Sequence, residues 1–372
     1  MLNRIYIDNF RSLVNFELSF DSINLFLGAN GSGKSTVFAA INRVKDLIAG
    51  GFKVESRFTI FDCCRWQTLK EHNFEIEIDG NEGKYKYELA IHYDEQQKPF
   101  IAHERLWFNS QPLLRFELEG VYIYDDDHIE RSKIAYFDSS QSFLSLLPPT
   151  STNKKLTWFR NRIFRLTVIQ ITPSLMIGTC DKESSYIYPL MENYVSWYRY
   201  LSQDQGKIFE LTNILRNVLD KFVSFKFDRF SETNYGLKLL FSSESDDKKT
   251  IEYYFHELSD GQKVIIALYT LIYGTQNEDY TLCIDEPENF LALPEVQPWL
   301  EQLYDFCCEK KLQALLISHH PKLINFLALD SGYWFERNGN SPVRVKQIRD
   351  EHDTGLPISE LVSRGWIYND TN

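Results

Sequence analysis

The sequence predicts an α/β protein, and three stretches of its 372 residues carry that prediction. An apolar run at 23–27 ends in glycine and is followed at 35–48 by apolar residues at helical spacing. Between 258 and 326, helices and strands alternate, which is typical of parallel strands with helical crossovers. Between 52 and 135, short alternating runs separated by turn residues indicate meandering antiparallel strands.

The first elements are two short runs, IYIDNF from Ile5 and LVNFELSF ending at Phe20, in which apolar and polar residues alternate. They predict an antiparallel strand pair joined at Arg11 and Ser12. The buried strand, glycine loop and helix come next. The later elements are predicted as helix 261–272, strand 281–284, helix 295–309, strand 312–318 and helix 321–326.

The order of these elements predicts three regions. Two prolines and small polar residues at 146–155 (LLPPTSTNKK) indicate a loop after the β-rich part. We expect a core formed by 1–50 and 251–372, a β-rich lobe at 51–145, and a mainly helical lobe at 146–250.

Composition excludes several classes of protein. Lys and Arg total 40 against 52 Asp and Glu, a net charge of −12, so any contact with nucleic acid must be local. None of the six cysteines shows C-x-x-C spacing, and the N-terminus is not a signal peptide, so we expect a reducing, cytoplasmic environment. The longest mostly apolar run, 264–273, is about half of the ~20 residues that a membrane span needs, so no membrane segment is predicted.

Residues 28–35, GANGSGKS, match the phosphate-binding pattern G-x-x-x-x-G-K-[ST]. Glycines let backbone N–H groups turn toward a phosphate, and the following helix directs its positive end at the anion. Lys34 is expected to neutralise β- and γ-phosphate charge, and Ser35 to ligate Mg²⁺. The alternative is a glycine turn without a ligand. The candidate nucleotide-binding residues are Gly28, Asn30, Gly31, Ser32, Gly33, Lys34, Ser35 and Thr36.

The apolar run at 281–284 ends in two acids, Asp285 and Glu286, the Walker B arrangement. The first carboxylate is expected to hold the metal through water, and the second to act as general base on the attacking water. Two exposed acids at a strand end are common, so the pair gains its meaning from the phosphate loop earlier in the chain.

The segment LSDGQ at 258–262 precedes an apolar helix, so Ser259 is either an ordinary N-cap or part of a second anion site. With this order of motifs the chain resembles the ABC-type ATPase superfamily, whose L-S-G-G-Q signature stands at the same place. The resemblance implies that Ser259, Gly261 and Gln262 of one subunit close over the γ-phosphate held by another. Asp260 replaces the first glycine of the pair.

The resemblance also assigns roles further along the chain. The run LLISHHP places His319 at the position of the histidine that senses the γ-phosphate, whereas His320 is interpreted as structural. The segment 287–293 lacks the usual aspartate of the superfamily's D-loop. Gln67 and Gln170 are both candidates for the glutamine that reaches Mg²⁺. Arg11 is interpreted either as approaching the nucleotide or as a surface residue.

The branch of the superfamily follows from the flanking sequence. The opening IYIDNFRSL resembles SMC, RecF and OLD-type heads, but the segment between Lys34 and Ser259 has no heptads and therefore no SMC coiled-coil arm. Fragments at Arg65-Trp66, 285–300 and 363–366 resemble stand-alone OLD-like heads of bacterial phage-defence loci.

Two clusters of charged residues have alternative interpretations. The acidic turn at 125–128 (DDDH) is interpreted as a charged turn rather than a metal site, because no second acidic cluster accompanies it. A basic and aromatic stretch suits either a solvated helix face or contacts with phosphate and bases: Lys154, Lys155, Trp158, Phe159, Arg160, Arg162, Phe164 and Arg165.

The resemblance implies a P-loop NTPase of the ABC-ATPase type that uses ATP and Mg²⁺ and closes as a head-to-tail homodimer around nucleotide. The expected partner is a separately encoded effector, such as a Toprim-type nuclease, in anti-phage defence. Two alternatives remain at this point: a RecF-like repair ATPase that binds duplex DNA, and a scaffold that binds ATP without hydrolysing it.

Overall fold

The computed structural model divides the chain into two compact units. One contains Met1–Leu166 and the described residues from 327 to 349, and the other contains Thr167–Phe326 and residues 356–365. Helices and strands are mixed in both, so the predicted α/β class is confirmed. The residues that the structure describes are 1–117, 119–135, 137–243, 249–349 and 356–365.

An eight-stranded antiparallel meander forms one sheet of the first unit. Its order is β2-β1-β4-β5-β6-β7-β8-β9, and Tyr6 lies opposite Glu17 in the predicted N-terminal pair. Alternate residues of β4 are buried, which explains the apolar and polar alternation in this region. The strands are β1 (Leu2–Asp8), β2 (Phe16–Ser19), β4 (Glu71–Gly80), β5 (Gly83–Tyr93), β6 (Pro99–Phe108), β7 (Gln111–Glu117), β8 (Gly120–Tyr124) and β9 (Glu130–Ile134).

The predicted strand, glycine loop and helix are also found in the first unit. All five residues of β3 (Ile23–Leu27) are buried, and the loop leads into α1 (Lys34–Ile48). Strand β17 (Gly332–Glu336) lies parallel to β3, and β18 (Arg344–Gln347) lies antiparallel to β17. The sequence did not predict these last two strands. Two helices complete the unit, α2 (Phe143–Leu146) and α3 (Lys154–Phe164).

The second unit contains the predicted parallel strands. Strand β15 (Thr281–Asp285) pairs in parallel with β16 (Gln313–Ile317), and α7 (Leu293–Cys308) is the crossover between them. Strand β10 (Leu166–Ile169), which begins at the unit boundary, lies next to β15. The remaining helices from this part of the chain are α6 (Asp260–Thr275), α8 (Pro321–Ser331) and α9 (Ile358–Ser363).

The described part of 146–250 contains four strands and the first residue of a fifth, as well as helices, although the sequence predicted a mainly helical lobe. A bulge lies between Phe222 and Ser224, at the start of an antiparallel sheet that the prediction did not include. The boundaries of the three predicted regions remain a prediction. Besides α3 and β10, the elements here are β11 (Thr179–Cys180), α4 (Tyr194–Leu201), α5 (Gln205–Val218), β12 (Phe222–Arg229), β13 (Tyr235–Ser242) and β14 (Thr250–Tyr254).

Three predictions about the chain as a whole can be compared with the structure. Within the described ranges, every helix is too short or too polar to cross a bilayer. The six cysteines, which all lie in those ranges, are free thiols. Trp366, part of the C-terminal fragment used for the family resemblance, lies outside the described residues.

Candidate functional site

The phosphate loop requires glycine for steric reasons. Gly28, Gly31 and Gly33 have φ angles of 141°, 78° and 104°. A Cβ on Gly28 would lie 2.2 Å from the carbonyl oxygen of Phe335, and one on Gly33 would lie 2.5 Å from Cγ2 of Val343. Only glycine combines these backbone angles with such close neighbours, so the loop has the conformation that its motif demands.

Lys34 and Ser32 present polar groups inside this loop. Lys34 is only 6% exposed, and its Nζ donates to the carbonyl oxygens of Gly28 at 2.7 Å and Ala29 at 3.1 Å. The hydroxyl of Ser32 is buried and has no hydrogen-bond partner among the described residues. A buried hydroxyl without a partner is rare in proteins, and a phosphate oxygen would satisfy it. These residues therefore fit the phosphate chain of a nucleotide.

The other predicted loop residues lie at the entrance and in the first turn of α1. Asn30 and Ser35 are exposed, and the backbone N–H of Thr36 donates to the carbonyl oxygen of Gly33 at 3.1 Å. The Ser35 hydroxyl and the Asp285 carboxylate are hard oxygen donors, the type that Mg²⁺ prefers. Their chemistry therefore suits the predicted metal.

Arg11 lies in a turn that is hydrogen-bonded to Val343, the residue whose side chain lies against Gly33 of the phosphate loop. The backbone N–H of Val343 donates to the carbonyl oxygen of Ser12 at 3.0 Å. The Arg11 guanidinium pairs with Asp62 at 3.1 Å, and Arg43 pairs with the same carboxylate at 2.6 Å. Burial alone would raise the pKa of Asp62, but these bonds outweigh it and lower that pKa. A role of Arg11 at the nucleotide stays a prediction.

The two acids of the second unit stand at the end of β15. Glu286 adopts a φ of 51°, and its backbone N–H donates to the carbonyl oxygen of Ile317 at 2.8 Å. The side-chain amide of Asn289 donates to Oε2 of Glu286 at 2.8 Å. Positive φ is unusual for glutamate, and such strain concentrates at functional sites. The hydrogen bond from the Asn289 amide orients the carboxylate of Glu286, the predicted general base.

Ser318, His319 and His320 follow β16. Glu288 accepts hydrogen bonds from the hydroxyl of Ser318 at 2.7 Å and from the backbone N–H of His319 at 3.2 Å. The His319 residue is exposed. Nδ1 of His320 accepts from the backbone N–H of Lys322 at 3.2 Å, at the start of α8, which agrees with its structural interpretation.

The signature segment forms the N-terminus of α6, with Ser259 as N-cap. The hydroxyl of Ser259 donates to Oε1 of Gln262 at 3.2 Å, and it accepts from the backbone N–H of Gln262 at 3.3 Å. A Cβ on Gly261 would lie 3.0 Å from the carbonyl oxygen of Phe290, so the chain approaches closely here. Asp260, which replaces a glycine of the motif, is exposed.

The two glutamine candidates lie in different units. Gln67 is half-buried in the first unit, in the segment before β4. Gln170 is exposed in the second unit and directly follows β10, the neighbour of the Walker B strand β15.

Side chains of the basic and aromatic stretch on α3 make hydrogen bonds and ring contacts within the first unit. Arg160 donates to the carbonyl oxygens of Leu144 and Leu147, and Lys155 donates to the carbonyl oxygen of Asp126. Arg162 is buried, and Trp158 stacks on Tyr85 with ring centroids 4.9 Å apart. Trp158 packs α3 onto the meander, as expected of the aromatic side of a helix face, whereas the buried Arg162 differs from the solvated basic side that this interpretation expects.

The acidic turn at 125–128 is held by hydrogen bonds. Asp125 accepts from the backbone N–H groups of Asp127 and Ile129 and pairs with Arg131, which lowers its pKa. Asp126 accepts from the first N–H groups of α3. No group of three metal-ligating side chains occurs in the part of the chain that the structure describes. The hydrogen bonds of Asp125 and Asp126 are those expected of a charged turn.

Comparisons with known proteins agree with this geometry. A family model described as AAA ATPase domain matches residues 1–185. A second, described as AAA domain, putative AbiEii toxin, Type IV TA system, matches residues 200–325. Among curated proteins, none matches the sequence significantly.

Solved structures identify the fold. The SMC head domain from Thermotoga maritima superimposes with a TM-score of 0.51 at 11% identity, covering 94% of this chain and 99% of that one. An SMC head bound to the C-winged helix domain of ScpA gives 0.52 at 13% identity, covering 93% and 98%. The fold is that of an SMC-type ATPase head. The predicted ABC-type fold is thus confirmed.

Sequence reasoning missed Asn289, which bonds the Glu286 carboxylate, and Glu288 and Ser318, which bond the backbone at His319 and His320. One signal was available, since Glu288 is a third acid two residues after Glu286. Its partner Ser318, however, lies 30 residues further along the chain, directly after β16.

Proposed function

We propose that the chain is an ATPase that binds ATP with Mg²⁺, hydrolyses it and works as a nucleotide-dependent switch. The phosphate loop carries the proposal: Lys34 lies inside the loop, and the Ser32 hydroxyl is buried without a partner. The match of residues 1–185 to an ATPase domain supports the same activity.

Binding would exchange contacts within the loop for contacts with phosphate. The Lys34 ammonium would leave the carbonyl oxygens of Gly28 and Ala29 and pair with β- and γ-phosphate oxygens, a stronger charge-assisted interaction. Ser35 and Asp285 would hold Mg²⁺, which supplies positive charge that offsets the charge of the phosphate oxygens.

Hydrolysis would use Glu286 as general base. As the oxygen of water bonds to the γ-phosphorus, the carboxylate accepts the proton of that water, the bond to the bridging oxygen breaks and ADP leaves. Asn289 orients the carboxylate. We assign the Mg²⁺-reaching glutamine to Gln170 rather than Gln67, because Gln170 follows the strand next to β15. His319 would contact the γ-phosphate.

A second copy would complete each site, as the superfamily resemblance implies. The Ser259 hydroxyl would release Gln262 and donate to the γ-phosphate, together with the backbone N–H of Gly261 at the N-terminus of α6. Gln262 would lie beside the same phosphate. Because these donors come from the partner, a lone copy is expected to hydrolyse ATP slowly.

The output of the switch is proposed to be a partner protein. One structurally similar SMC head has a domain of ScpA bound to it, which supports a protein partner for this head. The description of the second matching family mentions a toxin–antitoxin system, which favours a role in defence. We propose a separately encoded effector, such as a Toprim-type nuclease, in cytoplasmic anti-phage defence.

The proposal is tested by measuring phosphate release against protein concentration, together with the mass of the protein with and without ATP and Mg²⁺. A site built from two copies predicts that specific activity rises with concentration and that the dimer forms only with nucleotide. Activity independent of concentration from a monomer would overturn the head-to-tail site. ATP-dependent assembly without phosphate release would identify a scaffold instead.

Binding of DNA is the remaining alternative for the output. The basic stretch on α3 is engaged in contacts within the protein, so DNA binding there would have to break them. ATPase measurements with and without duplex DNA at two salt concentrations decide the matter. Strong stimulation that falls with salt would favour the RecF-like role over effector control.

A further inference from the structure

Glu288 is a third acid in the segment after β15, and neither phosphate binding nor general-base catalysis uses it. Its Oε1 accepts from the Ser318 hydroxyl at 2.7 Å and from the backbone N–H of His319 at 3.2 Å. Its Oε2 is buried without a hydrogen-bond partner among the described residues. One oxygen of the Glu288 carboxylate thus makes both hydrogen bonds to the segment that follows β16.

The hydrogen bonds of Ser318 extend this link across His319. Ser318 is fully buried, its single hydroxyl proton goes to Glu288, and its oxygen accepts from the backbone N–H of His320 at 3.0 Å. The backbone is therefore held on both sides of His319. Hydrogen bonds to a carboxylate are roughly twice as strong as neutral ones, so removing Glu288 should release this backbone.

The same segment holds the proposed general base. Asn289, the next residue, donates to the carboxylate of Glu286, whose backbone N–H is bonded to the last residue of β16, Ile317. Glu286 and Glu288 thus tie the segment after β15 to the end of β16, and Asn289 links the Glu286 carboxylate to the same segment. Displacement of one end would displace the other.

We propose that Glu288 is a positioning residue. It fixes the position of the His319 backbone relative to the general base Glu286 of the same copy. The inference rests on the proposed ATPase function. Glu288 does not touch the nucleotide in this scheme, so its loss should affect turnover and leave ATP binding intact.

The test compares Glu288→Ala with the conservative Glu288→Gln. Misplacement of a catalytic group by about 1 Å can cost roughly 10²-fold, so we expect the alanine variant to lose about that factor in kcat. The ATP dissociation constant and KM should stay within about twofold. Glutamine should restore most of kcat, because its amide oxygen can still accept from Ser318 and His319. Glu301→Ala, on an exposed position of α7, is the matched control.

Hydrogen exchange gives a readout that does not need turnover. The His319 amide should exchange faster in Glu288→Ala than in the wild type or in Glu288→Gln, because its acceptor is lost. Wild-type kcat and wild-type exchange in the alanine variant would overturn the inference. So would an equal loss of ATP affinity and kcat that glutamine fails to restore, which indicates a merely structural role. If the wild type releases no phosphate, the ATPase proposal fails, and the exchange rates alone decide whether Glu288 positions His319.

Discussion

The two units of the molecule hold different kinds of candidate chemistry. In the first, the phosphate loop is made by consecutive residues, and the donors expected for phosphate are backbone N–H groups, the Ser32 hydroxyl and the Lys34 ammonium. In the second, the site is made by side chains that meet from separate segments, as Glu288 meets Ser318. One site depends on backbone conformation, and the other on pairs of side chains.

This difference predicts how each site should fail. Substitutions in the loop should remove binding or damage the fold, because the backbone itself is the ligand-binding surface. Substitutions among Glu286, Glu288 and Asn289 should leave binding in place and lower turnover. A conservative substitution should be tolerated only where the new group can make the same hydrogen bond.

The strongest test of the comparison is Lys34→Ala. Lys34 is the only side-chain cation of the phosphate-loop motif, so its loss should lower ATP affinity by at least about 10²-fold, as expected when a charged partner of a phosphate is removed. Calorimetric titration with a non-hydrolysable ATP analogue measures the effect. Lys53→Ala, an exposed lysine after α1, is the control. Unchanged affinity in Lys34→Ala would remove the basis for a nucleotide site.

Glu286→Gln tests the second site with an almost isosteric change. The amide cannot accept the proton of the attacking water, so kcat should fall by about 10²- to 10³-fold while ATP affinity is retained. Closed dimers should then accumulate with ATP and be visible by light scattering. Turnover at the wild-type rate would show that Glu286 is not the general base. Loss of ATP binding in Glu286→Gln would show that the acids after β15 contribute to binding as well as to turnover.

The same contrast explains what the sequence could predict. The strand, loop and helix at 23–48 were predicted within a residue or two, because apolar spacing and the glycine motif are local signals. The parallel pair β15 and β16 was predicted from the alternation of helices and strands. Local pattern and element order therefore specify the core of the fold.

Features that depend on distant residues were missed. Strand β17 pairs with β3, from which it is separated by most of the chain, so no local pattern marks it. The bond between Glu288 and Ser318 is of the same kind. The proposal of Gln170 over Gln67 likewise uses strand order, which the sequence does not contain.

Gly28→Ala and Gly31→Ala sharpen the claim that backbone conformation makes the loop. Both residues have positive φ, but only at Gly28 would a Cβ clash, at 2.2 Å from a backbone oxygen. We expect Gly31→Ala to lower the free energy of unfolding by about 1 kcal/mol and Gly28→Ala by about 3 kcal/mol. Urea unfolding measures both. Equal losses would show that the close approach of Phe335 does not constrain the loop.

His72 gives an effect that appears only with changing pH, and it tests the stability of the unit that holds the phosphate loop. It is fully buried, and Nδ1 lies 2.7 Å from the carbonyl oxygen of Asn9, close to the Arg11 turn. Burial lowers the pKa of His72 to about 4, whereas a histidine in the unfolded chain titrates near ~6.5. Between these values the unfolded chain binds a proton that the folded chain does not, so stability falls as pH falls.

The slope of this fall is up to about 1.4 kcal/mol per pH unit, so the wild type should lose roughly 2 kcal/mol between pH ~6.5 and pH ~5 through His72. His72→Gln should be less stable at neutral pH, because it loses the bonds to Asn9 and Tyr93, but its stability should fall less steeply with acid. Urea unfolding across this range measures both slopes, with the more exposed His92→Gln as control. Equal slopes for wild type and His72→Gln would show that protonation of His72 does not limit the stability of the unit that holds the phosphate loop.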